Sequence, residues 1–110
     1  MQTFAVLADP TRRRILDRLR ADEHSVGALV DALAVSQPTV SKHLKVLREA
    51  GFVTSRVAAQ QRIYGLSPAP FEELAEWLEP YRRRWEQHLD ALERHLDART
   101  TTMNDNEEER

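Results

Sequence analysis

The sequence predicts a mainly α-helical fold with a small β-hairpin, and three observations lead to this prediction. Two amphipathic helical patterns are separated by only three residues, 34–36. After residue 51 the apolar spacing changes from the helical period of about 3.6 residues to the strand period of about 2. A long segment with heptad-like apolar spacing follows. Two helices joined by a short turn and followed by a hairpin form a winged helix-turn-helix, in which the hairpin is the wing.

Length and composition limit the classes of protein to which the chain can belong. Its 110 residues suffice for one domain with a modest core. The chain has no cysteine, which excludes disulfides and thiolate metal sites. The first apolar run, residues 4–8, is too short for a signal peptide, and no run approaches the roughly 20 apolar residues of a membrane helix. We therefore expect a cytoplasmic protein with no membrane partner.

The first 20 residues predict two helices. Residues 1–8 are expected to form a short helix, whose apolar residues available for burial are Phe4, Val6 and Leu7. Asp9 is a good N-cap for a second helix, because Pro10 then stands at the first helical position, where its missing N–H costs little. This helix is predicted to run to about Arg20 and to bury three residues, Ile15, Leu16 and Leu19.

The run Arg12, Arg13 and Arg14 allows two interpretations. Three consecutive guanidinium groups can clamp a phosphate, but three nearby acids balance their charge, namely Asp17, Asp22 and Glu23. We therefore favour a solvated helix face.

The helix-turn-helix pattern occupies residues 25–51. Its first helix follows the N-cap Ser25 and places four apolar residues on one face: Val26, Leu29, Val30 and Leu33. Its second helix follows the N-cap Ser36, carries Pro38 in the first turn and ends at Gly51, which can enter a left-handed conformation. The apolar side of this helix is defined by residues at i, i+4 and i+7, namely Val40, Leu44 and Leu47. His43 borders that side and is either a packing residue or a contact.

The outer face of the second helix is unusual. Its positions hold short polar or cationic side chains: Gln37, Thr39, Ser41, Lys42 and Lys45. An ordinary solvated face mixes Glu with Lys, but the only acid in this stretch is Glu49 near the helix end. Residues 36–67 hold five cations and one acid, a net charge of +4 in a chain whose net charge is −2. Because Gln and Ser can reach base edges and Lys can neutralise phosphates, we predict that this face binds double-stranded DNA.

The predicted wing comprises strands at residues 52–57 and 62–66 with a tip at residues 58–61. Four polar residues lie on or beside the tip: Arg56, Gln60, Gln61 and Arg62. Long polar side chains there can reach a DNA backbone or a minor groove, so we predict that these residues contact DNA. A solvated turn is the alternative interpretation.

The last helix is predicted to follow Ser67-Pro68 and to carry a nearly heptad apolar seam. The seam consists of Phe71, Leu74, Leu78, Tyr81, Trp85, Leu89, Leu92 and Leu96. A small monomer would struggle to cover this seam and Trp77, so a second copy of the chain is the expected partner. Pro80 predicts a kink or a break in the helix. Residues 100–110, rich in Thr, Asn, Asp and Glu, predict a disordered acidic tail after a domain of residues 1–99.

Two motifs carry a resemblance to a known family: LADPTRRRIL at residues 7–16 and SQPTVSKHLKVLREAGFV at residues 36–53. With these motifs the chain resembles the ArsR-type winged helix-turn-helix repressors, which are small dimeric transcription regulators. The resemblance implies that five positions meet DNA: Gln37, Pro38, Thr39, Ser41 and Lys42. It also implies that subunits pair through their first and last helices, which here offer Phe4, Leu7, Tyr81, Trp85, Leu89, Leu92 and Leu96.

The chain departs from the family pattern at the wing and at the metal sites. The wing tip lacks the glycine that is common there. Many relatives sense metals through a thiolate pair, which would fall near residues 29–33, or through ligands on the last helix. This chain has no cysteine, and Glu86-x-His88 completes only half of the second ligand set. A pairing of His88 with His95 across a dimer is conceivable, but lone helical histidines are usually surface or packing residues. We predict no metal and no cofactor, as in the family branch without metal ligands.

The sequence therefore predicts a homodimeric, sequence-specific DNA-binding regulator, and the resemblance favours a nucleoid-associated repressor of a palindromic operator. Bases would be touched by Gln37, Thr39 and Ser41, and phosphates would be held by Lys42, Lys45, Arg56 and Arg62. The alternative is a winged-helix protein-interaction module without specific DNA binding, against which the charge of +4 argues. An enzyme is not indicated, because the chain has no glycine-rich phosphate loop and no recognisable acid–base pair. Neither an inducing ligand nor the operator can be identified from the sequence.

Overall fold

A computed structural model describes the backbone of residues 2–108 and the side chains of residues 3–99. The elements along this backbone are α1 (Gln2–Leu7), α2 (Pro10–Ala21), β1 (His24–Ser25), α3 (Val26–Leu33), α4 (Gln37–Glu49), β2 (Val53–Ala58), β3 (Gln61–Leu66) and α5 (Ala69–Glu108). Two units divide the chain within α5, the first ending at Leu74 and the second beginning at Ala75. The helix pair followed by a hairpin confirms the predicted winged helix-turn-helix fold.

Three helices begin at the N-caps that the sequence predicts. The Oδ1 atom of Asp9 accepts hydrogen bonds from the backbone N–H groups of Thr11 (2.8 Å) and Arg12 (3.1 Å). The hydroxyls of Ser25 and Ser36 accept from backbone N–H groups three residues later, at 3.1 and 3.4 Å. The pKa of the Asp9 carboxyl lies below its ordinary value, chiefly because the Arg12 N–H hydrogen-bonds its charged form. Each cap satisfies backbone donors that the helix itself cannot pair.

The core of the first unit is formed by the apolar faces that the helical periods predict. Its buried residues are Val6, Ile15, Leu16, Leu19, Leu29, Leu33, Val40, Leu44, Leu47, Phe52 and Val53. Of the three apolar residues of α1 that the sequence singles out, Val6 is buried, Phe4 is exposed and Leu7 is half-buried. The Phe52 ring also contacts the Phe71 ring edge to face, with their centroids 5.2 Å apart. The chain leaves α4 through Gly51, whose φ of 82° confirms the predicted left-handed residue.

The wing contains the predicted hairpin and a third strand that the sequence does not indicate. Its antiparallel strands lie in the order β1-β3-β2. The two residues of β1, His24 and Ser25, pair with Tyr64 and Ile63 of β3. A strand of two residues has no measurable apolar period, so periodicity does not predict it. The hairpin strands are also shifted by one residue at three of their ends, so Gln61 lies in β3 and not in the tip.

The wing tip is a two-residue turn formed by Ala59 and Gln60. Their φ angles are 49° and 67°. Two successive positive φ values are those of a type I′ turn, which matches the twist of the flanking strands. Asparagine and glycine adopt these values at little cost, whereas alanine and glutamine do not. The missing glycine therefore leaves the expected hairpin in place with a strained tip.

Helix α5 runs through Pro80 without interruption, so the break that the sequence allowed is absent. The proline only removes one backbone donor, the N–H that would otherwise pair with the carbonyl four residues earlier. The helix includes the backbone of residues 100–108, for which the sequence predicts a disordered tail. Residues 109 and 110 lie outside the described residues. Because helix ends fray in solution, the disorder of this segment stays a prediction.

The three consecutive arginines bind carbonyl groups at helix ends. Arg12 and Arg13 donate to carbonyls of the last turn of α1, at 2.8 and 2.7 Å. Arg14 donates to the carbonyl of Leu33, the last residue of α3, at 3.0 Å. Carbonyls in a last helical turn lack intrahelical partners, so cations are favoured beside them. Neither interpretation of these arginines, as a phosphate clamp or as a solvated helix face, predicts this role.

Candidate nucleic-acid interface

Helix α4 separates an apolar face from a polar one. Its inner face is formed by three residues that are each 1% exposed or less, Val40, Leu44 and Leu47. Its outer positions are exposed and carry Gln37, Pro38, Ser41, Lys42 and Lys45. Because the inner side chains are packed in the core, the helix cannot rotate without opening that core. The polar face is therefore held towards solvent.

The turn before α4 is defined by backbone conformation and by one arginine. Ala34 lies in the left-handed region, with φ 54° and ψ 41°, and its N–H donates to the carbonyl of Val30 at 3.0 Å. The preceding carbonyl, that of Leu33, accepts from Arg14. Ser36 then caps α4. Three residues thus suffice to redirect the chain, and Arg14 ties the turn to α2.

Two residues of α4 differ from their exposed neighbours. Thr39 is half-buried, and its Oγ1 lies 2.8 Å from the Oγ of Ser36, so this predicted base contact is engaged at the helix start. His43 is also half-buried, and its Nδ1 is enclosed without a hydrogen-bond partner among the described residues. Its position favours the packing role over the contact that the sequence left open.

Three of the four predicted wing residues form no ion pair in the described part of the chain, and only one of the three, Arg62, is charged. These residues, Gln60, Gln61 and Arg62, are exposed. A cleft of about 190 Å³ lies between β3 and the start of α3 and is lined by Ser25, Val26, Gly27, Gln61 and Arg62. The wing and the start of the first helix of the helix-turn-helix therefore both line this cleft.

Arg56 is the fourth predicted wing residue, and it pairs with Glu23, which the sequence analysis placed instead among the acids that balance the three consecutive arginines. Its Nη2 lies 2.7 Å and its Nε 3.2 Å from the Oε2 of Glu23. The two residues are 33 positions apart, and only the folded sheet brings them together. No sequence signal links Glu23 to this surface.

The second unit exposes a row of large apolar side chains on α5: Trp77, Leu78, Tyr81, Trp85, Leu89, Leu92 and Leu96. The rings of Trp77 and Tyr81 contact each other, with centroids 4.9 Å apart. Charged residues pair along the same helix, and Arg82 lies 3.0 Å from Glu79 and 3.1 Å from Glu86. The hydrogen bond from Arg82 holds the pKa of Glu79 below its ordinary value. The helix thus carries paired charges together with this exposed apolar row.

The described part of the chain contains neither a cluster of metal ligands nor a membrane-spanning helix. Among residues 3–99, no three His, Asp or Glu side chains lie close enough together to hold a metal ion. His88 and His95 are both exposed on α5. The absence of a metal in solution stays a prediction. None of the described helices is long and apolar enough to span a membrane.

Comparisons with known proteins agree with this fold. Residues 7–56 match a family model described as a helix-turn-helix domain. The HTH-type transcriptional regulator Rv2034 of Mycobacterium tuberculosis is 46% identical over 67 residues, which cover 61% of this chain and 63% of that protein. The matched region thus spans less than two thirds of that relative's length.

Solved structures are matched over more of their length. The ArsR family transcriptional regulator RHA00566 has a TM-score of 0.66 and 30% identity, covering 76% of this chain and 87% of that one. The transcriptional repressor BigR from Xylella fastidiosa has a TM-score of 0.60 and 34% identity, covering 73% of this chain and 82% of that one. Identity of this size over most of a known regulator, together with the same winged fold, shows common descent. The chain therefore belongs to the ArsR family of transcriptional regulators.

Proposed function

We propose that the protein is a homodimeric repressor that binds a palindromic operator in duplex DNA. One observation carries the proposal: α4 offers an exposed polar and cationic face while its opposite face is packed in the core. An α-helix with its side chains is about 10–12 Å wide, and the major groove of B-DNA is about 12 Å wide. The exposed face is therefore suited to meet base edges and phosphates together.

The outer residues of α4, which include the half-buried Thr39, divide into two roles in this proposal. Bases are touched by Gln37, Thr39 and Ser41, since short polar side chains near a helix start can reach base edges in the groove. Thr39 contributes through the lone pair that its contact with Ser36 leaves free. Phosphates are neutralised by Lys42 and Lys45, and Pro38 stiffens the first turn.

The wing extends the contact beyond α4. Its exposed tip and strand residues, Gln60, Gln61 and Arg62, reach the DNA backbone or the adjacent minor groove. Arg56 provides a further phosphate contact when it leaves Glu23. Together with the lysines of α4, these arginines give the surface the positive charge that duplex DNA attracts.

Dimerisation through α5 is supported by its exposed apolar row. Burial of each such side chain contributes roughly 1.5–3 kcal/mol, and a symmetric dimer buries each one twice. Because these side chains are 41–64% exposed in one chain, about half of that contribution remains to be gained, and the sum over the row is comparable to the cost of association, about 4–15 kcal/mol. The proposed interface consists of Tyr81, Trp85, Leu89, Leu92 and Leu96 with Phe4 and Leu7 of α1. Two recognition helices related by a two-fold axis can read half-sites about one helical turn apart.

Repression is supported by the likeness to BigR, which is named a transcriptional repressor. A repressor acts by occupying its operator, so the proposed role requires no catalytic step. Its proposed place of action is the nucleoid in the cytoplasm.

Selection of bound duplexes from a random-sequence library tests the proposal. We expect the wild-type protein to enrich a palindrome, and we expect Lys42→Ala to weaken binding to every duplex alike. Arg18→Ala is the matched control, because it removes one positive charge from an exposed position on α2. Failure to enrich any palindrome, or an equal loss in the control, would contradict the proposal. Recovery of a protein partner without DNA binding would instead support the interaction module.

A further inference from the structure

The ion pair between Glu23 and Arg56 engages one of the cations of the proposed DNA-binding surface. The Nη2 and Nε atoms of Arg56 lie 2.7 and 3.2 Å from one carboxylate oxygen of Glu23. Both side chains are open to water, with 62% of the arginine and 49% of the glutamate exposed. Exposed pairs of this kind contribute little to stability, so the arginine can exchange its partner at small cost.

The sheet determines how the carboxylate reaches Arg56. Glu23 precedes His24 of edge strand β1, whereas Arg56 lies in β2 on the other side of β3. The glutamate side chain passes over β3 at Gly65, where an added Cβ would lie 3.4 Å from the Glu23 Cγ. A Cβ at position 65 would therefore be in van der Waals contact with the glutamate chain.

The carboxylate occupies the hydrogen-bonding edge of Arg56 that a phosphate would use. A guanidinium binds carboxylate and phosphate through pairs of N–H groups in the same planar geometry. The Nε and Nη2 atoms form one such pair, and both point at the Glu23 Oε2. A DNA phosphate must therefore displace Glu23 before it can bind this edge.

We propose that Glu23 attenuates the affinity of the protein for duplex DNA, because it competes with DNA phosphates for Arg56. The inference rests on the proposed DNA-binding function. On random DNA, a loosely placed phosphate gains little over the carboxylate, so Arg56 adds little to affinity. On the operator, base contacts from α4 fix the register, and a phosphate held against Arg56 displaces the carboxylate. Operator binding therefore loses the whole free energy of the Glu23–Arg56 ion pair, whereas binding to random DNA loses only the smaller free energy of a loose Arg56–phosphate contact. Glu23 thus lowers operator affinity at least as much as non-specific affinity.

The competition has a signature in the salt dependence of binding. Each phosphate that a cation neutralises releases counterions from the DNA and adds about 0.9 to the log–log salt slope. When Arg56 leaves Glu23, the freed carboxylate attracts a cation from solution and offsets part of that release. Removal of the carboxylate should therefore make the salt dependence steeper, an effect that a purely structural role of Glu23 would not produce.

The test compares wild type, Glu23→Gln, Arg56→Gln and the double variant. The probes are a random-sequence duplex and the duplex that wild type selects from a random library, each titrated at several salt concentrations. We expect Glu23→Gln to bind the random duplex about two- to fivefold more tightly per subunit. We also expect its salt slope on the random duplex to steepen by up to about 0.9 per subunit, and its affinity for the operator duplex to rise by at least the same factor as its affinity for the random duplex. In the Arg56→Gln background, Glu23→Gln should raise DNA affinity no more than the control variant Asp31→Asn does.

Asp31→Asn is the matched control, since it removes one acid from an exposed position on α3 of the same unit. A gain for Glu23→Gln no larger than that of Asp31→Asn would overturn the inference alone. An equal gain in the Arg56→Gln background would also overturn it, because Glu23 would then act as a general repulsive charge. If wild type binds neither duplex at low salt, the proposed function fails and the inference fails with it.

Discussion

The two units of the chain use apolar periodicity in opposite ways. In the first unit, the apolar side of α4 is sealed, and Leu44 is 1% exposed. In the second unit, apolar residues at similar spacing on α5 are open to solvent, and Trp85 is 64% exposed. Apolar residues at helical spacing therefore identify a face that favours burial, but not what buries it.

The difference separates folding from assembly. The first unit stabilises its polar α4 face through its own core, whereas the apolar row of the second unit is available to a partner. Substitutions on the apolar side of α4 should then change the free energy of unfolding. Substitutions in the α5 seam should instead change the oligomeric state.

The largest effect is expected from a charge in the α5 seam. Leu92→Glu should convert the dimer to monomers, because each subunit would lose a buried leucine and place a carboxylate at the interface. Specific operator binding should be lost, while weak, salt-sensitive binding remains. Sedimentation checks the first expectation and fluorescence anisotropy with labelled duplex the second. Gln87→Glu adds the same charge at an exposed position off the seam and should stay dimeric. The assignment of the α5 apolar row to dimerisation would be contradicted if Leu92→Glu remains a dimer, or if wild type is a monomer at micromolar concentration.

A core truncation in the first unit is expected to have the next largest effect. Leu44→Ala should lower the free energy of unfolding by about 2–5 kcal/mol, because it leaves a cavity against packed neighbours. Leu92→Ala is the matched truncation in the second unit, and its cost should depend on protein concentration. Urea unfolding at several concentrations separates the two. An equal, concentration-independent cost for both would mean that the α5 seam is buried within one chain.

A smaller effect is expected on the surface that the first unit supports. Gln37→Ala should cost about 1–3 kcal/mol of operator affinity and relax discrimination at one base position per half-site. Lys42→Ala should instead weaken all sequences alike and lower the salt slope by about 1 per subunit. Repeating the duplex selection with each variant provides the measurement. An unchanged sequence preference in Gln37→Ala would show that another residue reads the bases.

The smallest effect is expected at the wing tip, where backbone conformation, and not packing, determines how a substitution changes the free energy of unfolding. Ala59→Gly should raise the free energy of unfolding by about 0.4–1 kcal/mol, because the φ of 49° strains alanine more than glycine. Ala58→Gly, one residue earlier in β2, should lower it by about 0.5–1 kcal/mol. Thermal unfolding of both variants gives the comparison. Stabilisation by both, or by neither, would show that the tip is not strained.

The sequence by itself determined the elements whose causes are local. Helix α4 is an example, since the spacing of Val40, Leu44 and Leu47 defines its buried side and Ser36 caps its start. Gly51 could also be assigned, because the left-handed conformation depends on the residue itself. The polar face of α4 then followed as the remainder of the helix. These features need only neighbours within about one or two helical turns.

Only the tertiary structure decided which distant groups meet. Arg14 binds a carbonyl 19 residues away, and Glu23 reaches Arg56 across 33 residues. Residue type determines that an arginine has donors to satisfy, but the acceptor depends on how the helices and sheet pack. Strand β1 is another case, because its two residues become a strand only by pairing with β3. The α5 seam marks the same limit: its period specifies an apolar face, and the identity of its partner lies beyond the single chain.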